Sequence, residues 1–166
     1  MLLLIQEIDR PHTYKALRQG IEVGCSAIFL DPDIFKDNGE SSYLLPFIKE
    51  GRLGPVNYVG GYFHADSWAK KHPVFKGLPC GGVMDYTYYR EIIPQDAFIS
   101  IDTPWEAVCG ALNGSAGYNS GLHVAVYKMG AGFYMLNNLK IHENLGTDPV
   151  SERLLVNMVV YVDSVI

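Results

Sequence analysis

The first thirty residues alternate between short apolar runs and one amphipathic segment. Residues 2–5 and 26–30 are continuous apolar runs, which are typical of strands buried on both faces of a parallel sheet. Between them, apolar residues spaced three and four apart predict a helix that begins after Pro11 and ends near Gly24. The face of this helix consists of Tyr14, Leu17 and Ile21. Strand, helix and strand within about 30 residues predict a βαβ unit.

The pattern is less regular from residue 36 to residue 71. Residues 36–42 are polar and predict a loop, and residues 43–49 predict a short helix interrupted by a proline. Residues 56–63 predict a strand with a glycine break, whereas residues 65–71 predict one or two helical turns.

The second half of the chain contains four runs in which apolar and polar residues alternate, which predicts β-structure. These runs are residues 82–93, 105–112, 122–128 and 132–136. In the first run, alternation would place Tyr86 and Tyr88 on one face of a strand with Met84. The segment Met129-Gly130-Ala131-Gly132, where the last two runs meet, predicts a hairpin turn.

The C-terminal segment predicts a helix that covers the sheet. Asp148 can cap the first turn, and Pro149 suits the first helical position. One apolar stripe follows, formed by Leu154, Leu155, Met158, Val159 and Val162.

Composition narrows the class of protein. The 166 residues are 48% hydrophobic and 19% charged, which is enough for one globular domain spanning residues 1–166. The formal net charge of −5 disfavours a nucleic-acid partner, and no apolar run approaches the roughly 18 residues of a membrane span. Because the chain opens directly on a core strand, we expect it to be a piece of a longer protein. The sequence does not decide between a cytoplasmic and an exported protein.

The three cysteines do not form a recognisable site. Cys25, Cys80 and Cys109 are odd in number and show neither CxxC spacing nor paired histidines at zinc-ligand distance, so we expect neither a disulfide framework nor a structural zinc site. We expect no other metal and no cofactor. A nucleophilic thiol in an α/β fold sits on a tight turn between strand and helix, and none of the three has that context. The remaining thiol candidates are Cys80 and Cys109, with His64 or His123 as the base.

The other polar residues do not form a recognisable acid/base pair. His64 and Asp66 could form half of an acid/base or metal site, but a His-x-Asp near a strand end more often caps a loop. No G-x-S-x-G elbow occurs. Glycoside hydrolysis needs two facing carboxylates, and spacing does not pair the acidic residues of the β-rich half. Those residues are Asp85, Glu91, Asp102 and Glu106.

Aromatic residues are the candidates for ligand contact. Four rings are suited to stacking on sugars, although a hydrophobic core would use them equally well. They belong to Trp68, Tyr86, Tyr88 and Trp105.

Three segments taken in order carry a family resemblance. They are the His-Pro-Val-Phe-Lys-Gly-Leu box at residues 72–78, the Met-Asp-Tyr to Ile-Pro stretch at residues 84–94, and residues 128–157. Together they resemble the class I glutamine amidotransferase-like domain at the C-terminus of some bacterial glycoside hydrolase family 2 (β-galactosidase-like) proteins. The resemblance covers roughly residues 56–162, and residues 36–54 look like an insertion of unassigned role.

The resemblance implies a fold and a role. The implied fold is a three-layer, flavodoxin-like α/β domain with a mixed, mainly parallel sheet and antiparallel strands near the C-terminus. Such domains usually lack the amidotransferase nucleophile, so we expect a non-catalytic accessory domain that docks onto other domains of a parent glycoside hydrolase or forms contacts between copies. Two alternatives stay open: a carbohydrate-binding module, and a free-standing small hydrolase of the amidotransferase-like superfamily.

Overall fold

The computed structural model describes residues 2–5, 12–31, 36–37, 40–43, 47, 51–56, 65–114 and 118–165. The strands are β1 Leu2–Ile5, β2 Ser26–Phe29, β3 Lys36–Asp37, β4 Glu40–Tyr43, β5 Arg52–Pro55, β6 Asp66–Ala69, β7 Gly82–Val83, β8 Asp96–Ile99, β9 Glu106–Asn113, β10 Asn119–Met129 and β11 Gly132–Asn137. The helices are α1 His12–Glu22, α2 Tyr86–Tyr89, α3 Ile141–Asn144 and α4 Pro149–Ser164, with a 3-10 helix at Pro73–Phe75.

The main sheet is mixed, and its described pairings are mainly antiparallel. The strand order is β1-β2-β11-β10-β9-β6-β7, with β8 pairing both β10 and β5. Only β1–β2 and β2–β11 are parallel, while six other pairings are antiparallel. The expectation of a mainly parallel sheet is therefore wrong for these residues. The turn of two residues between β10 and β11 permits only antiparallel pairing.

Helices cover opposite faces of the sheet. In β2, Ala27 and Phe29 pack in one core cluster with residues of α1, whereas Ile28 packs in another with residues of α4. Successive side chains of a strand point to opposite faces, so both faces of the sheet centre are apolar. The chain is thus α/β with a helix layer on each side.

The strongest sequence signals are confirmed. Strands β1 and β2 flank α1 and pair in parallel, which is the βαβ unit. The hairpin joins β10 to β11. In α4, the Asp148 side chain accepts a hydrogen bond from the Val150 N–H at 2.9 Å, and Leu154, Met158 and Val162 are buried.

Three predictions between residues 36 and 93 are wrong. Residues 66–69 form β6 instead of a helical turn, because they pair with β9 on one side and β7 on the other. Of residues 82–93, only Gly82–Val83 is a strand, and Asp85 caps helix α2 by accepting from the Thr87 N–H. Tyr86 and Tyr88 consequently do not share a face. The segment 36–42, predicted as a loop, contributes the antiparallel strands β3 and β4.

Strands β5 and β8, each four residues long, were not predicted. The helix predicted at 43–49 and the strand predicted at 56–63 lie mostly outside the described residues.

Candidate functional site: two cavities on three strands

Strands β6, β9 and β10 lie side by side and carry a cavity on each face. Consecutive residues of each strand line opposite cavities, as alternation along a strand requires. Trp68, Leu112 and Leu122 line an open groove of about 450 Å³. Their neighbours Ser67, Ala111 and His123 line a smaller cavity of about 190 Å³. We call these the aromatic groove and the His123 pocket.

The floor of the aromatic groove depends on a glycine. Trp68 of β6 pairs with Gly110 of β9, which in turn pairs with Leu122 of β10. A Cβ atom on Gly110 would lie 3.0 Å from the Trp68 ring and would collide with the Gly121 carbonyl oxygen. The absence of a side chain at residue 110 therefore lets the indole and β10 approach closely.

The groove combines exposed apolar surface with hydroxyl groups. Tyr118 is 81% exposed and Leu112 is 37% exposed, although both are large apolar side chains. Hydroxyl side chains complete the lining, namely Ser100, Thr103 and Ser120. None of the described lining residues carries a charge. An aromatic surface bordered by hydroxyls can stack on one face of a ligand and hydrogen-bond to its edges.

Of the four aromatic candidates, only Trp68 lies in the groove. Tyr88 is fully buried and donates its hydroxyl proton to the Pro79 carbonyl, and burial raises its pKa. Its ring is therefore not available to a ligand. Tyr86 is 85% exposed on α2. Trp105 packs against Phe133 and lies 4.1 Å from the Lys128 Nζ, outside the groove lining.

Sequence reasoning missed Tyr118 as a ligand-contact candidate. It lies directly before β10, in a glycine-rich stretch between the runs at residues 105–112 and 122–128. An aromatic residue in a polar loop was the available signal, because loops carry binding residues disproportionately.

His123 lies at a bulge in β10. Leu122 pairs with Gly110 and Val124 pairs with Cys109, so the intervening residue has no partner in β9. A bulge of this kind re-aims a side chain. His123 is 1% exposed, and its Nε2 lies 3.4 Å from the Ser67 Oγ.

The imidazole of His123 is neutral at pH 7. Burial lowers the pKa of His123 to about 4, while the backbone of Asp96 acts in the opposite direction. Its Nδ1 has no hydrogen-bond partner among the residues that the structure describes. This nitrogen is also shielded from solvent.

The cysteines lie apart from this pair. Cys109 is fully buried in the core beneath α4, and burial raises the pKa of its thiol. A nucleophilic thiolate needs the opposite shift. Cys80 is exposed in a loop, and Cys25 is partly buried. His64 lies outside the described residues.

The acidic residues considered for acid/base catalysis lie apart from one another in the fold. Glu106 accepts hydrogen bonds from the His72 Nε2 at 2.7 Å and from the Tyr161 hydroxyl at 2.6 Å. The His72 Nδ1 accepts from the Val74 N–H, so Nε2 carries the proton. The Tyr161–Glu106 hydrogen bond thus connects α4 to the first residue of β9.

The pKa of Glu106 is lower than usual. Partial burial raises it, but the hydrogen bonds from Tyr161 and His72 outweigh burial, and the charge of Lys70 acts in the same direction as these bonds. Asp85 caps α2, and Glu91 pairs with its neighbour Arg90. None of these acidic side chains, nor Asp102, lines either described cavity.

Within the described residues, no three His, Cys, Asp or Glu side chains group as metal ligands would. No helix among them is both long enough and apolar enough to cross a bilayer. Neither the comparison with protein-family models nor the comparison with curated proteins finds a match.

Proposed function

We propose that this chain is a non-catalytic accessory domain of a glycoside hydrolase and that its aromatic groove binds carbohydrate. The observation that carries the proposal is the groove itself. Trp68 and Tyr118 lie along it, and Ser100, Thr103 and Ser120 supply hydroxyl groups. This combination supports the carbohydrate-binding alternative more directly than any other feature of the described chain.

The chemistry of the groove suits a sugar. Each pyranose ring presents an apolar C–H face and a polar rim, so an aromatic side chain can cover the face while hydroxyls bond the rim. A ring stacked in this way contributes about 1–2 kcal/mol through burial and contact. The uncharged lining favours neutral sugars, because a carboxylate or phosphate would lose water without meeting a cation.

The link to a glycoside hydrolase rests on the family resemblance of residues 72–78, 84–94 and 128–157. It implies that the acid/base and nucleophile carboxylates belong to another domain. The partners of this chain are then the other domains of that protein, a carbohydrate, and a further copy if the domain mediates oligomer contacts.

The groove is tested by binding to a panel of soluble neutral polysaccharides in affinity electrophoresis. We expect Trp68→Ala to weaken retardation by the bound polysaccharide at least about ten-fold, which corresponds to the loss of about 1.4 kcal/mol. Tyr86→Ala is the matched control, because Tyr86 is exposed but lies outside the groove. Circular dichroism confirms that each variant is folded.

Retardation that is unchanged in folded Trp68→Ala, or lost equally in Tyr86→Ala, would contradict the groove as the binding site. The non-catalytic role is tested separately with chromogenic glycosides. We expect the isolated chain to give no turnover. Turnover that follows the purified chain through successive columns would contradict this part of the proposal.

A further inference from the structure

We propose that the solvent-facing stripe of helix α4 is a self-association surface, on which α4 of a second copy of this chain packs in the antiparallel direction. The stripe consists of Arg153, Val156, Val160 and Asp163, all of which are exposed. This inference rests on the proposed function only in the expectation of contacts between copies. It is tested separately from carbohydrate binding in the aromatic groove.

The centre of the stripe is apolar although it faces solvent. One side of α4 is buried in the core, and the opposite side would ordinarily carry polar residues. On that opposite side, Val156 is 55% exposed and Val160 is 60% exposed. These two side chains lie one helical turn apart and therefore touch the same patch of solvent. Leu155 and Val159, which are only partly buried, widen the patch along one flank.

The spacing of the stripe is that of a helix–helix seam. Its four residues are separated by three, four and three positions, which is the a/d pattern by which two helices interlock side chains. A two-fold axis at the level of residue 158 would place Val156 against Val160 of the second copy. The same axis would place Arg153 against Asp163 of the second copy. Because two-fold symmetry repeats each contact, the seam has two apolar layers at its centre and one ion pair at each end.

The two charges fit a second copy better than they fit their own helix. No ion pair among the described residues involves Arg153 or Asp163. Asp163 lies in the last turn of α4, where free carbonyl groups favour a cation. An antiparallel second copy brings Arg153 to this carboxylate, whereas a parallel one would place like charges together. Charge complementarity therefore selects both the partner and its direction.

The expected dimer is weak and reversible. Helix α4 has 16 residues and is about 24 Å long, so one pair of such helices buries less area than a standard protein–protein interface. We therefore expect a dissociation constant in the micromolar range or above. Burial of the valines supplies most of the affinity, because exposed ion pairs contribute little and mainly fix the register.

The test is sedimentation velocity of the chain at concentrations from about 5 to about 500 μM, which bracket the affinity of a weak interface. We expect the wild-type chain to change reversibly from monomer to dimer. Val160→Glu should weaken the dimer at least about ten-fold, because symmetry places two charges at the apolar centre. Val23→Glu is the matched control, since Val23 is 80% exposed and lies outside α4, and it should leave the dimer unchanged. Circular dichroism confirms that each variant is folded.

Exchange of the two charges tests the antiparallel register. Arg153→Asp and Asp163→Arg should each weaken the dimer about ten-fold, because each places like charges together at both ends of the seam. The double variant with both changes should dimerise within about three-fold of the wild-type chain, since its end pairs are again opposite in charge. An equimolar mixture of the two single variants should form a heterodimer, although each variant alone remains mainly monomeric.

A wild-type chain that stays monomeric throughout would overturn the proposal and leave the stripe to another domain or protein. A dimer that persists in folded Val160→Glu would place the contact elsewhere, and single charge variants that do not combine would refute the antiparallel register. Trp68→Ala should leave the dimer unchanged. Retardation by polysaccharide that survives in Val160→Glu shows that failure of self-association and failure of the groove are separate results.

Discussion

The aromatic groove and the His123 pocket share three strands but present opposite chemistry. In the groove, Tyr118 and Leu112 remain in contact with solvent, and the hydroxyls can reach water when no ligand is bound. In the pocket, Ser67 and His123 are almost completely buried. The exposed site costs the fold little, whereas the buried site places polar groups where water is scarce. Alternation along a strand is what allows one sheet to carry both.

A second histidine of the described chain has a different environment from His123. His72 is also largely buried, but both of its ring nitrogens are hydrogen-bonded, to Glu106 and to the Val74 N–H. Its arrangement is complete without a ligand. His123 differs, since its Nε2 has a long contact to the Ser67 Oγ and its Nδ1 is buried without a partner among the described residues.

The largest effect should come from the glycine between the two cavities. Gly110→Ala would place a Cβ against the Gly121 carbonyl and the Trp68 ring, so we expect it to lower the free energy of unfolding by about 3 kcal/mol. Urea denaturation measures the change. Gly82→Ala is the control, because Gly82 is also in a strand and a Cβ there meets no atom within 4 Å. Equal stability of the two variants would show that the close packing at Gly110 is absent.

Acid should destabilise the protein through His123. The pKa of this residue is about 4 in the folded chain and about 6.5 in the unfolded chain, so the unfolded state binds the proton more tightly. The stabilising contribution is complete above pH 6.5 and is lost as the pH falls to about 4. The difference between the two pKa values corresponds to about 3 kcal/mol in the free energy of unfolding.

The measurement is the free energy of unfolding from denaturant titrations at several pH values. His123→Gln should flatten the curve between pH 6.5 and pH 4. A slope that persists in this variant would place the titrating group elsewhere.

Glu106 should act in a lower pH range. Its pKa in the folded state lies below the ordinary value of 4.5, so its contribution is present above pH 4.5 and is lost as the pH falls further. Glu106→Gln keeps the shape of the side chain but removes the charge, so it should lower the free energy of unfolding above pH 4.5 and remove the pH dependence that Glu106 contributes below about pH 4.5. A change in the slope of the curve between pH 6.5 and pH 5 in this variant would mean that Glu106 and His123 are not independent.

The smallest effect on stability should come from Tyr118→Ala. Because this side chain is 81% exposed, the midpoint of thermal unfolding should stay within about 2 °C of the wild-type value. Binding to neutral polysaccharide should nevertheless weaken about five-fold, since one stacking surface is lost. A variant that unfolds at a much lower temperature would show that the Tyr118 side chain stabilises the fold by packing and is not free to contact a ligand in the groove.

The sequence predicted correctly those parts of the fold that are determined by residues close to one another in the chain. The βαβ unit, the turn at Gly130 and the Asp148 cap each depend on residues close in sequence. Strand β6 was mistaken for a helical turn because its conformation is imposed by β9 and β7. Helix α2 was hidden within a run rich in β-favouring tyrosines, and the Asp85 cap outweighs their preference.

The candidate site was predictable only in part. Trp68 could be selected by residue type, because large aromatic rings commonly contact ligands. The pairing of Ser67 with His123 could not, since the two are 56 residues apart and meet only through the strand order and the bulge in β10. Sequence alternation also misassigned Tyr88, which faces the core from a helix.

Carbohydrate bound in the aromatic groove must contact Trp68. The chain has two tryptophans, and Trp105→Phe leaves Trp68 as the only one. Titration of this variant with a neutral oligosaccharide, identified from the binding panel, should produce a saturable change in tryptophan fluorescence that matches the affinity of the wild-type chain. Saturable binding without any change in the emission of Trp68 would place the carbohydrate elsewhere and contradict the aromatic groove as its site.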